Sequence, residues 1–466
     1  MKDFEIMKES TSQSSLTLGT APIGKLLLQY SVPAIIASVA TSLYNIIDSM
    51  FIGQGVGALA ISGLAITFPL MNLVIAFCMF IAAGGSTICS IFLGQKDHKR
   101  AIDVLNNVLV LAIIHSVVFG GLSLLFLDEI LFFFGATQET ISYAREFMRI
   151  ILYGTPISYI FIALNNMMRA TGYPKKAMIT ALLSVAINLG LAPVFIFVLK
   201  WGIAGAALAT ICGQAVAMVW VVRHFLEKSS YVHFSFNGEM LSWKIVKRIY
   251  SIGLSPFLMN VCACIVVIFI NTALLKTGGE NGNLAVGAFG IVNRTGMLFV
   301  MIVFGVTQGM QPILGFNYGA NQWSRVKHTL KIGFVAGVII TTMGFLVAEI
   351  FPYQVASMFT TDATLIEISV TGFMISFIFY SVIGGQIVIQ NFFQSIGKPK
   401  VSIFLSLTRQ LLFLIPTLLV LPTLFGLKGV WWSLAVSDML AFVVGIITLS
   451  VLLKRENRHF RMINNQ

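Results

Sequence analysis

The side chains in this sequence most able to do chemistry are the few acids that fall inside long apolar stretches. Of the 18 Asp and Glu residues, only Asp48 and Asp438 lie well inside such a stretch. A charged side chain at the centre of a bilayer costs about 2.5–3.5 kcal/mol on insertion scales. An acid at such a position is therefore a candidate for binding a proton or another cation.

Asp48 belongs to a polar stripe on its apolar stretch. Ser38, Thr41, Tyr44, Asn45 and Asp48 recur at helical spacing and so share one face of a helix. We expect this face to line a wet cavity, where the carboxyl can hold or release a proton. The alternative is an acid satisfied by neighbouring amides for structural reasons alone.

Asp438 has a simpler interpretation. Arg409 and Arg294 fall inside other apolar stretches at comparable depth. A buried ion pair between Asp438 and one of these arginines would be structural, because each charge offsets the burial cost of the other. The sequence leaves open which arginine is the partner.

Other reaction chemistry is missing from the sequence. The Gly-Lys pairs at Gly24 and Gly397 lack the glycine spacing and the Ser or Thr of a nucleotide-binding P-loop. No two of the six histidines form an i, i+4 metal pair, and no nucleophile or metal constellation marks a membrane-embedded enzyme. We therefore expect neither an enzyme nor a bound cofactor or metal, and no ATP-driven transport by this chain.

The elements that position these side chains must cross a membrane. The 466 residues are 57% hydrophobic and 10% charged, against roughly 25% charged in a soluble domain, and the mean hydropathy is +0.90. The first 24 residues are polar, which predicts a cytosolic tail and not a cleaved signal peptide. The composition excludes a soluble protein.

Apolar runs of about 20 residues, the length that spans a bilayer, predict an all-α integral membrane protein with twelve transmembrane helices. The predicted spans are 26–52, 60–93, 104–127, 147–168, 178–199, 202–222, 250–275, 285–316, 329–351, 368–393, 401–423 and 429–453. They group into a cytosolic N-terminal tail 1–24, an N-lobe 25–222, a cytosolic linker 223–249, a C-lobe 250–453 and a cytosolic C-terminal tail 454–466.

The basic residues predict the orientation. With the N-terminus in the cytosol, 23 of the 30 Lys and Arg residues fall on the cytosolic side and five fall outside. This asymmetry follows the positive-inside rule and predicts that both termini are cytosolic. The net charge of +12 therefore reports topology, and we expect a bilayer and not nucleic acid as the partner.

The two halves repeat each other. Residues 59–101 align without a gap on 284–326, and 165–175 align on 390–400, both at an offset of 225. Six spans per repeat is an even number, so both halves enter the membrane in the same direction. Parallel repeats of this kind recur in secondary transporters.

These features together resemble the MATE (multidrug and toxic compound extrusion) transporters. The resemblance rests on the two parallel repeats, on Asp48 followed by Gly53-Gln54-Gly55, on the doubled segments ending at Lys175 and Lys400, and on Gly205–Thr210. It covers about residues 20–453, and the MepA-like bacterial branch is the most similar. The resemblance implies two lobes in a V and export of cationic, amphipathic drugs from a bacterial inner membrane in exchange for H⁺ or Na⁺.

The resemblance also assigns residues. It implies a cation site at Asp48, Asn188, position 192 and Thr210, to which the stripe adds Tyr44 and Asn45. Ala192 departs from the family because it offers no oxygen, which favours H⁺ over Na⁺. The family's second acid, on span seven, falls near Cys264 and is absent.

Three further expectations follow. Pro33 matches a proline at which the first span bends in some members, and Asn165 with its repeat mate Gln390 is expected to contact substrate. We expect a monomer. The alternative function is a lipid-linked oligosaccharide flippase of the same superfamily, which needs a basic cavity that Arg294 and Arg409 alone do not provide.

Overall fold

The computed structural model describes residues 17–227, 230–235 and 240–464. Most of the predicted N-terminal tail and the last two residues of the C-terminal tail lie outside the described residues. So do residues 228–229 and 236–239 of the predicted linker.

The described chain is helical, with short connections. The first half holds α1 (Ile23–Gly55), α2 (Ala58–Gly94), α3 (His98–Leu125), α4 (Leu127–Phe133), α5 (Ile141–Tyr153), α6 (Thr155–Ala170), α7 (Pro174–Pro193), a π-helical turn (Val194–Val198) and α8 (Gly202–Leu226). The second half holds α9 (Trp243–Thr277), a 3₁₀ turn (Gly279–Asn281), α10 (Gly282–Gly319), α11 (Trp323–Ile350), α12 (Pro352–Ser357), α13 (Ala363–Ser376), α14 (Tyr380–Ser395), α15 (Pro399–Leu407), a π-helical turn (Thr408–Leu414) and α16 (Ile415–Asn464). Because lipid offers no hydrogen-bond partners, a spanning segment must satisfy its backbone internally, and helices do so.

The described part of the chain contains nine uninterrupted helical segments that are long and apolar enough to cross a membrane, and two bent helix pairs bring the number to 11. The final segment, Pro399–Arg458, has 60 residues, or about 90 Å of helix against about 30 Å of hydrocarbon. It is interrupted at Gly426, whose φ is 56°, so it holds two spans. The prediction of twelve spans is consistent with this arrangement.

Spans four and ten differ from the straight helices that we expected. Span four consists of α5 and α6, which meet at 55°, and span ten consists of α13 and α14, which meet at 57°. The hydropathy pattern could not show these breaks, because the residues at both bends, Gly154 and Phe377–Phe379, fall within apolar runs.

The internal repeat is visible in the helix boundaries. Five pairs of boundary residues lie 225 residues apart: Gly94 and Gly319, His98 and Trp323, Leu125 and Ile350, Ala170 and Ser395, and Pro174 and Pro399. The two bent spans are also repeat mates. The prediction of two six-helix repeats is therefore confirmed.

Local chemistry explains several of these boundaries. The Asp97 carboxylate accepts a hydrogen bond from the Arg100 N–H at 3.1 Å and caps α3. α6 and α14 each end before a glycine with positive φ, 105° at Gly172 and 70° at Gly397, a conformation that glycine adopts without strain.

The described chain forms two compact units. Unit 1 holds the described residues up to Pro22, Val32–Phe257 and Gly315–Ala320. Unit 2 holds Ile23–Ser31, Leu258–Leu314 and the described residues from Asn321 onward. Each unit has its own apolar core. The predicted lobe and linker boundaries stay a prediction.

Candidate cation site in unit 1

The candidate site is built where α7 and α8 lie against each other. A Cβ on Gly213 of α8 would come within 2.4 Å of the Ser184 carbonyl oxygen on α7, so glycine permits this close approach. One turn before Gly213, the Thr210 hydroxyl accepts a hydrogen bond from Asn188 Nδ2 at 2.9 Å and donates to the Ala206 carbonyl at 3.2 Å. The crossing thus fixes two of the predicted site residues together.

Asp48 and Tyr44 of α1 complete this group. Asp48 is buried, with 8% of its surface exposed. The Tyr44 phenol, one helical turn earlier, interacts with the Asp48 carboxylate and also hydrogen-bonds Thr210. Tyr44 therefore links the α1 acid to the Asn188–Thr210 pair, and we call these four residues the cation cluster.

Two oxygens of the cation cluster lack a partner. Asp48 Oδ1 and Asn188 Oδ1 are both buried, and neither has a hydrogen-bond donor in the part of the chain that the structure describes. A buried acceptor without a donor costs about 1–3 kcal/mol. A bound cation would remove this cost, either as Na⁺ among the oxygens or as a proton that turns the Asp48 carboxylate into a donor.

The remaining family position supplies nothing to this group. Ala192 lies on α7 one turn after Asn188 and is fully buried. Its methyl group occupies the place where the family has an oxygen. A Na⁺ ion, which prefers several oxygen ligands, would have one fewer here.

Asn45 does not join the cation cluster. It is exposed, and its Nδ2 donates to the Thr41 carbonyl of its own helix at 2.9 Å. Thr41 is exposed as well and donates to the Ala37 carbonyl. The predicted stripe therefore divides into a buried part, which holds Asp48, and an exposed part.

Asn165 and Gln390 connect helices within their own units. Asn165 Nδ2 donates to the Ala177 carbonyl at 2.9 Å and to the Thr180 hydroxyl at 2.6 Å. Gln390 Nε2 donates to the Ser406 hydroxyl at 2.7 Å. These repeat mates fasten the sixth helix to the seventh and the fourteenth to the fifteenth, and their contact with substrate stays a prediction.

Asp438 is paired with Arg409 and not with Arg294. Arg409 Nε lies 2.5 Å from Asp438 Oδ1, with the arginine side chain 35% exposed and the aspartate side chain 5% exposed. Arg294 is exposed on α10. The pair lies in unit 2.

Pro33 lies inside α1, which continues from Ile23 to Gly55. Its repeat mate Pro256 likewise lies inside α9. The division of the described chain into two units falls beside both prolines. Whether the helix bends at Pro33 stays a prediction.

The sequence analysis missed one polar residue near the cation cluster. Gln214 lies one turn after Thr210 on α8, and its Oε1 accepts a hydrogen bond from the Ser158 hydroxyl of α6. The i, i+4 spacing from Thr210 was the signal that could have identified it.

Comparison with known proteins identifies the family. The MatE family model matches residues 33–194 and 253–419, one block in each half of the chain. The chain belongs to the MatE family. It is thus a multi-pass membrane protein of this family.

Individual relatives agree with this assignment. The chain is 27% identical over 430 residues to "Multidrug export protein MepA" of Staphylococcus haemolyticus (strain JCSC1435), covering 92% of this chain and 94% of the relative. A solved structure described as the outward-facing conformation of a multidrug resistance MATE family transporter has a TM-score of 0.89 at 24% identity, covering 95% of this chain and 98% of that one. A MATE crystal structure in the bent conformation has a TM-score of 0.90 at 24% identity, covering 97% of this chain and all of that one.

Proposed function

We propose that this protein is a secondary active antiporter that exports cationic, amphipathic drugs in exchange for H⁺. The observation that carries the proposal is the buried Asp48 carboxyl on a membrane-spanning helix, with Oδ1 unpartnered among the described residues. The multidrug export name of its staphylococcal relative supports the cargo. The names carried by the relatives do not favour the flippase alternative.

Proton coupling follows from what one carboxyl can do. Charged Asp48 leaves a buried anion without an ion-pair partner in the described residues, and protonation removes that charge. A drug cation can offset the same charge, so proton and drug compete for one carboxylate. Such competition is the minimum requirement for exchange.

Sodium remains the alternative ion. Asp48, Asn188, Thr210 and Tyr44 provide oxygens, whereas Ala192 provides none. A proton needs the Asp48 carboxyl alone. The composition of the cation cluster therefore favours H⁺.

We place the protein in a bacterial plasma membrane as a monomer with both termini in the cytosol, as the 23 cytosolic basic residues indicate. A reporter that fluoresces only in the cytosol, fused after Gln466, should fluoresce. A periplasmic enzyme reporter at the same position should be inactive, and activity would refute the topology.

The experiment that tests the function is dye efflux from proteoliposomes. A pH gradient should drive ethidium transport without sodium, whereas a sodium gradient at uniform pH should not. Transport driven by sodium alone would refute H⁺ coupling. Failure of both gradients to drive any organic cation would refute the antiporter.

A further inference from the structure

The Arg409–Asp438 pair in unit 2 differs from a closed structural ion pair. Asp438 contacts the guanidinium at Nε, and its side chain is almost fully buried, whereas the arginine side chain is 35% exposed. Arg presents five N–H donors. In the described part of the chain, no hydrogen bond or ion pair engages the two Nη atoms.

The depth of the pair limits what the exposed guanidinium can face. Arg409 lies ten residues after the start of α15 at Pro399, or about 15 Å along the helix. This is close to the middle of a hydrocarbon layer about 30 Å thick. A guanidinium exposed at that depth faces water and not lipid, because contact with lipid is costly.

The local backbone presents the guanidinium. Arg409 lies in the π-helical turn Thr408–Leu414 between α15 and α16, and such turns occur mostly at functional sites. The next residue, Gln410, has a buried Oε1 that lacks a hydrogen-bond donor among the described residues. A turn whose polar groups are not all satisfied is better suited to a ligand than to packing alone.

We propose that Arg409, held through Nε by Asp438, binds the carboxylate of a zwitterionic amphiphile with its Nη donors. This rests on the proposed transport function and extends it to a second class of substrate. Guanidinium and carboxylate form paired, charge-assisted hydrogen bonds. The Arg409–Asp438 pair is neutral, so a purely anionic ligand would leave a net negative charge. A zwitterion brings its own positive charge.

Two dyes that differ in one group test this assignment. The probes are a cationic rhodamine methyl ester and the matching rhodamine free acid, and fluorescence anisotropy measures binding of each to the purified full-length protein. The key variant is Arg409→Met/Asp438→Leu, because replacing both members of a buried pair with apolar residues tends to preserve stability. We expect it to bind the free acid about tenfold more weakly or worse and the ester as the wild type does.

Two further variants complete the design. Arg409→Lys keeps the charge and the partner of Asp438 but loses the planar fork, so it should also lose affinity for the free acid alone. Arg294→Gln removes the exposed, unpaired arginine of α10 and should change neither affinity. Unchanged free-acid binding in the double variant, or an equal loss for both dyes, would overturn the proposal.

The transport arm separates this proposal from the previous one. If wild-type proteoliposomes fail to export the ester under either ion gradient, the antiporter proposal fails. The anisotropy result still decides whether Arg409 binds a carboxylate.

Discussion

Replacement of Asp48 by Asn should uncouple transport without unfolding the protein. The carboxyl is 8% exposed, and no described residue donates to its Oδ1. Asn therefore removes a charge and a titratable proton but leaves no ion-pair partner unsatisfied. The thermal stability of the purified variant should stay close to that of the wild type.

The expected size of the effect follows from the coupling scheme. A pH step of about one unit is worth about 1.4 kcal/mol per proton. For exchange of one proton against one monovalent dye cation, this energy supports a dye gradient of about tenfold at equilibrium. Asp48→Asn should support no gradient, although dye should still equilibrate through the protein.

The assay follows a fluorescent cation in proteoliposomes after a pH jump. Asn45→Ala is the matched control, since Asn45 lies on the same helix, is exposed and bonds only its own helix, and it should retain the full gradient. Asp48→Glu keeps the proton and should retain coupling at a reduced rate. A near-wild-type gradient in Asp48→Asn would refute the assignment of Asp48 as the coupling acid.

Three other outcomes are expected. Gly253→Ala should destabilise the protein by about 1–3 kcal/mol, because its Cβ would lie 1.7 Å from the Phe80 carbonyl oxygen. Thermal unfolding checks this against Gly121→Ala, where no atom lies within 4 Å of the new Cβ, and an equal effect of both would contradict it. Thr210→Val should lower the coupled efflux rate about tenfold, as expected for a buried Asn188 donor left without its acceptor, whereas Thr210→Ser should not; equal rates in both would remove Thr210 from the site. An imposed potential of about 100 mV, worth about 2.3 kcal/mol per charge, should leave the dye gradient unchanged, and a change would show that exchange is not one proton for one charge.

The sequence identified Asp48 because intramembrane acids are rare, and rarity can be counted without coordinates. It also identified Asn188 and Thr210, although only through resemblance to a family. What it could not show is that α7 and α8 approach closely enough at Gly213 to bring these two side chains to 2.9 Å. Helical spacing placed Asn45 beside Asp48, yet the structure exposes Asn45. A stripe wide enough to include both residues covers more of the helix than one neighbour can bury.

Asp438 shows the same limit from the other side. Depth along the chain made Arg294 and Arg409 equal candidates, because distance between helices is not encoded in either segment. Packing placed Arg409 at 2.5 Å from the carboxylate and left Arg294 exposed. The π-helical turn that presents Arg409 depends on hydrogen-bond register, which hydropathy does not report.

By itself, the sequence determined the membrane class, the number of spans, the repeat at 225 residues and the scarcity of acids that isolates Asp48. These properties depend on transfer free energies and on counting, both of which are local. Only the tertiary structure decided the bends of 55° and 57° in spans four and ten, the partner of Asp438 and the membership of the cation cluster. Those depend on which helix faces meet, and contact between helices is a property of the folded chain.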